Sequence, residues 1–141
     1  MVDHHRQWPI TDDLATLREH VQTYARRAGL SGARLDDLVI AANEAAINVL
    51  EHGGGTGVLA ISHDDDALAV EVTDNVGVLQ PSALPADRPT ARADRGYGLW
   101  LMGELCDTVS IEQARGGSLV RLSMRLAGSG VDPDPDPDPG P

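Results

Sequence analysis

The sequence predicts an α+β domain, a two-layer sandwich with helices on one face of a mostly antiparallel sheet. Three observations carry this expectation. Two segments with apolar residues at helical spacing open the chain, 14–28 and 37–52. Two pairs of alternating apolar runs follow, 58–62 with 68–73 and 107–112 with 119–126. A single apolar helix led by glycines separates the pairs. Strands joined by short turns pair antiparallel, and the apolar stripes of the helices need a sheet face to cover them.

Composition sets the outer bounds. A chain of 141 residues is long enough for one domain with a real core. Its mean hydropathy of −0.21 and 23% charged residues fit a soluble globular protein. No apolar run approaches the ~18 residues of a membrane span, and the opening segment MVDHHRQWPI has no signal-peptide apolar stretch. The lone Cys106 excludes an internal disulfide and a multi-cysteine metal site, and its apolar neighbours place it in the core. A cytoplasmic location is the expectation. The net charge is −11, with four of the charges on Asp132, Asp134, Asp136 and Asp138. Such a chain is a poor partner for nucleic acid. A nucleotide site stays open, because it needs only local positive groups and backbone N–H donors.

Taken in order, Trp8, Pro9 and Ile10 read as an extended lead-in or edge strand. Thr11, Asp12 and Asp13 offer N-caps, and Leu14, Leu17, Val21, Tyr24 and Ala28 keep helical spacing up to Gly29. Gly32 sits in the turn before the second helix. That helix, 37–52, is rich in Ala, Leu and Glu and stops at Gly53, Gly54 and Gly55. Leu38, Ala42, Ala45 and Val49 form its core stripe. Glu44, Asn48 and His52 recur every fourth residue and stack on a neighbouring face. A carboxamide and a carboxylate one turn apart can hold a hard cation and take a proton from a hydroxyl. The same spacing also describes an ordinary solvated helix face.

Beyond the glycines, 58–62 and 68–73 are strands joined by a polar turn. Leu68, Val70 and Val72 share one side, and Asp74 continues their parity. A carboxylate on a core-facing strand end requires a donor, which a ligand amino group could supply. An Asx-turn is the alternative. Residues 75–95 contain Pro81, Pro85 and Pro89 and no periodicity, as expected of a lid or of a solvated loop. Arg88, Arg92 and Arg95 make that segment locally positive and suited to phosphate. Gly96 and Gly98 then open an apolar helix, where backbone can approach a phosphate. Leu99, Met102 and Cys106 read as core. The strand 107–112, the turn at Arg115, Gly116 and Gly117, and the strand 119–126 close the domain as a hairpin. Val120, Leu122, Met124 and Leu126 point inward. The folded domain is expected to span 1–127. The Asp-Pro repeats of 128–141 offer nothing apolar to bury and are expected to be a disordered acidic tail.

These motifs together resemble the GHKL ATPases, the superfamily of histidine kinases and gyrase with the Bergerat fold, and within it the bacterial anti-sigma factor serine kinases. Residues 44–53, EAAINVLEHG, resemble the N-box. Asp74 occupies the place of the G1-box aspartate, and Gly96-Tyr97-Gly98-Leu99 resembles the G2 box. The resemblance covers about 8–126. It implies ATP with Mg²⁺ as the ligand, Asn48 as metal ligand and Glu44 as the base for a serine hydroxyl. It further implies that Asp74 accepts from the adenine amino group, and that Gly96, Gly98 and Leu99 lie at the nucleotide with Arg95 as a helper. His52 would brace the helix end. The implied partners are a sigma factor and a STAS-domain anti-anti-sigma factor, with a homodimer as the working unit and no role for nucleic acid or membrane. The family's G1 box commonly reads D-x-G-x-G, whereas here Val76 and Val78 flank Gly77. Gly77 remains the G1 contact to the nucleotide, with either a shifted loop register or weaker binding. Two other functions are compatible with the same residues. One is a partner-binding switch with a degenerate nucleotide site. The other is a metal hydrolase using Glu44 and His52, for which no third ligand is recognisable.

Overall fold

The computed structural model of the chain describes residues 5–52, 54–76, 96–114 and 116–126. The elements run β1 (His5–Pro9), α1 (Leu14–Ala28), α2 (Gly32–His52), β2 (Gly57–His63), β3 (Ala67–Asp74), α3 (Gly96–Leu105), β4 (Thr108–Ala114) and β5 (Gly117–Arg125). The strands form one antiparallel sheet in the order β1-β2-β3-β5-β4. This is the expected α+β sandwich. Among the described residues no helix is long and apolar enough to cross a membrane.

Register explains how the sheet acquires one apolar face. Leu59 pairs with Val72 and Val72 with Val120; Ile61 pairs with Val70 and Val70 with Leu122. These side chains are all at most 3% exposed and sit beneath Leu17, Val21, Leu38, Ala42 and Ala45 of the helices. Each buried Leu, Ile or Val contributes about 1.5–3 kcal/mol. The other face carries the cross-strand Glu71–Arg121 ion pair. Asp74 and Ser118 are register partners in the row that ends the helix-covered face.

Local chemistry sets the element ends. Asp13 caps α1, accepting from the Thr16 amide at 3.1 Å and the Thr16 hydroxyl at 2.8 Å. Gly29 closes α1 at φ 115°, a conformation that favours glycine. Gly116 turns the last hairpin at φ 71°.

Several sequence expectations need correction. Helix α2 starts at Gly32 instead of Asp37, so Gly32 lies inside the helix. Ala33, Arg34 and Leu35 are good helix formers, and Leu35 is buried in the core. Arg34 is tied to Asp107 and to the Arg125 carbonyl. In α1 the fully buried residues are Leu17, Val21 and Ala25, whereas Tyr24 and Ala28 pack at the margin. Asp107 precedes β4 because its carboxylate binds Arg34 and the Arg125 amide. Gly117 is the first residue of β5, paired with Ala114.

Candidate functional site

Helix α2 carries Glu44 and Asn48 one turn apart, on the side that meets α3. Asn48 is only 9% exposed, so the solvated-face reading does not hold for it. Among the described residues its Nδ2 is buried without a hydrogen-bond partner. Leaving such a group unsatisfied costs about 1–3 kcal/mol. An amide in that position is a candidate for contact with a ligand.

The N-terminal turn of α3 lies against this pair. A Cβ at Gly98 would stand 2.9 Å from Glu44 Oε1 and 3.9 Å from Asn48 Oδ1. Only glycine lets the α3 backbone approach the carboxylate this closely. The first four N–H groups of α3, from Gly96 to Leu99, have no intrahelical acceptor and carry the positive end of the helix dipole. The Leu99 side chain is 1% exposed and belongs to the core, so its backbone is what it can offer a ligand. His52 stands at the C-terminal end of α2 with Nε2 3.8 Å from Glu51 Oε1. Among the described residues no three His, Cys, Asp or Glu side chains converge as a metal cluster.

Asp74 ends β3 on the helix-covered face and is 7% exposed. Its Oδ2 accepts from the Ser118 hydroxyl at 2.6 Å. Its Oδ1 accepts from the Val76 amide at 2.8 Å and the Ser118 amide at 3.3 Å. The bond to Val76 is the Asx-turn that was the alternative expectation for Asp74, and the donor that its buried carboxylate requires is supplied by Ser118. Asp74 connects to the α2 end through the sheet: it pairs with Gly57, where a Cβ would press on Val49, the neighbour of Asn48. At Gly117 a Cβ would run into the Asp74 carbonyl, which explains a glycine there. Ser118 was missed by the sequence reading. Its signal was parity, since it lies two residues before the inward Val120. Val76 is 49% exposed, and its Cγ2 is 2.5 Å from the place of a Gly54 Cβ. Gly77, Val78, Arg88, Arg92, Arg95 and the expected lid lie outside the described residues, as do Gly53 and the tail.

The family profile for the histidine kinase-like ATPase domain matches residues 8–124. The chain belongs to the histidine kinase-like ATPase family. No curated protein matched it. The match runs from Trp8 in β1 to Met124 in β5 and includes every described residue of the site. Membership implies a bound nucleotide, ordinarily with Mg²⁺. The residues of this ATPase domain fit such a group. Mg²⁺ takes one or two protein oxygens and completes its shell with phosphate and water. A half-turn of the buried Asn48 carboxamide exchanges its oxygen and nitrogen, so the same space can be offered an acceptor or a donor. The cradle at Gly98 leaves the α3 backbone bare toward that space.

Proposed function

We propose that the chain is an ATP-dependent protein serine/threonine kinase that also acts as an anti-sigma factor. It phosphorylates a STAS-domain anti-anti-sigma partner and holds a sigma factor away from RNA polymerase, working as a homodimer. The observation that supports this reading most is the meeting of Glu44, the unpartnered Asn48 amide and the bare backbone of Gly98. A histidine kinase that phosphorylates its own histidine has no need of a base for an alcohol. A carboxylate beside the nucleotide space suits a hydroxyl acceptor.

In this reading ATP with Mg²⁺ supplies the phosphoryl group and neutralises its charge. Asn48 would hold the metal, and the N-terminal turn of α3 at Gly96 and Gly98 would offer its backbone N–H groups to the phosphates, with Arg95 as the expected helper. Asp74, held by Ser118, would accept from the adenine amino group, with Gly77 the expected G1 contact. Glu44 orients the serine hydroxyl and accepts its proton as that oxygen bonds to phosphorus and ADP departs. Replacing Glu44 with Ala is expected to lower phosphoryl transfer by about 10²–10⁴-fold, with ATP and sigma-factor binding retained. Radiolabel transfer to candidate STAS proteins, with calorimetry for binding, measures both. Loss of ATP binding in Glu44→Ala would overturn the base assignment.

A second reading is a nucleotide-independent partner-binding module. Val76 favours it, a valine at a G1 glycine place with its side chain against the turn after α2. Sigma-factor capture that persists without any nucleotide binding would select it.

A further inference from the structure

A cavity of about 480 Å³ opens between β1 and α1 and shares no residue with the site above. Its volume is in the range of ligand-binding clefts. Arg6, Trp8 and His63 reach it from the helix-covered sheet face, and His20, Tyr24 and Arg27 reach it from α1. Trp8 and His20 stack with centroids 4.7 Å apart and planes 2° from parallel. Tyr24 Oη and His63 Nδ1 are hydrogen-bonded at 2.8 Å. The cavity therefore has aromatic walls and two guanidiniums, with Glu19 the one carboxylate among its described lining residues. In a chain of net charge −11 that is a locally cationic site.

We propose that this cleft binds the chain's own Asp-Pro tail, residues 132–138, in cis. Three features point to this occupant. Charge is the first: the tail brings four aspartates to a cleft that presents Arg6 and Arg27. Shape is the second: proline at alternate positions favours an extended polyproline conformer, and aromatic-lined grooves take such segments at low entropic cost. Reach is the third. The Leu126 amide bonds to the Asp66 carbonyl, in the turn that follows His63. Strand β5 thus ends at the same end of the sheet as the cleft, two strands from β2, or ~10 Å. Residues 127–131, AGSGV, span up to ~17 Å when extended, enough to bring Asp132 to the cleft. So short a tether gives an effective concentration on the order of millimolar, so a weak intrinsic affinity suffices.

The test uses the full chain and a full-length variant carrying Asp132→Asn, Asp134→Asn, Asp136→Asn and Asp138→Asn. A synthetic peptide of residues 128–141 is titrated into each, followed by calorimetry and by the NMR signal of the Trp8 indole N–H. The peptide is expected to bind the variant about tenfold or more tighter than wild type, whose tethered tail competes. Saturation should move the Trp8 signal of the variant to its wild-type position. Adding Arg6→Ala and Arg27→Ala, both at exposed residues, should abolish binding. Failure of the variant to bind the peptide would overturn the proposal. So would equal binding to wild type, or binding that survives loss of both arginines.

Discussion

At Gly98 one hydrogen separates the α3 backbone from the Glu44 carboxylate, and a methyl group there would sit 2.9 Å from Oε1. The obstructing atom is the end of a flexible side chain, so Gly98→Ala is expected to fold with a stability change below about 1 kcal/mol. Its cost should fall on chemistry, because the displaced carboxylate no longer reaches the acceptor hydroxyl. Transfer is expected to drop by about tenfold or more, with the melting temperature nearly unchanged. Gly117→Ala is the contrast, since its methyl meets the Asp74 backbone carbonyl, which cannot swing away. There a loss of about 1–3 kcal/mol is expected in a urea melt. Sequence alone made Glu44, Asn48 and Asp74 legible, because period and parity place side chains on faces. It did not reveal Ser118 as the Asp74 partner or the unpartnered Asn48 amide. Those depend on register and on how closely α3 packs on α2, which no local pattern encodes.

Among the elements, α2 departs most from its sequence expectation, and the reason is tertiary. Its first turn is held by Arg34, which bonds Asp107 Oδ2 at 2.8 Å and the Arg125 carbonyl at 2.7 Å. The Arg34 hydrogen bond pulls the Asp107 carboxyl below its ordinary value of 3.8; burial opposes this, and the Arg125 amide adds to it. A lowered folded value means the stabilisation is present above about pH 4 and is lost as pH falls through the lowered value. The two side chains are 46% and 39% exposed, so the pair contributes at most about 1 kcal/mol. Asp107→Asn is therefore expected to be less stable than wild type at pH 7 by that amount. The gap should close below pH 4 in urea titrations across pH. A gap that stays constant with pH would contradict the assignment. The four strands β2 to β5, in contrast, were legible to within a residue or two at each end, because alternation with a period of two leaves few ways to present one apolar face. Strand β1 begins three residues before the expected Trp8, where His5, Arg6 and Gln7 carry no apolar alternation.

For the whole molecule, the α+β sandwich follows from the order of elements, and its single buried sheet face positions the candidate site. Helices α2 and α3 meet above the face on which β3 ends at Asp74 and β5 begins beside it with Gly117 and Ser118. Glu44 and Asn48 of α2 are therefore placed on the same side of the sheet as Asp74 of β3 and Ser118 of β5, which are distant in sequence. Domain limits of 1–127, with an acidic tail from 128, remain our proposal, and the cleft between β1 and α1 gives that tail a place to dock. The Glu44, Asn48 and Asp74 site is proposed to take a nucleotide despite Val76 and Val78. Calorimetric titration of MgATP into the full chain, with Asp74→Asn as control, tests it most directly. MgATP is expected to bind at one site per chain with an affinity on the order of micromolar to millimolar, weakened about tenfold or more in the control. No binding at millimolar MgATP, or equal binding by Asp74→Asn, would contradict it.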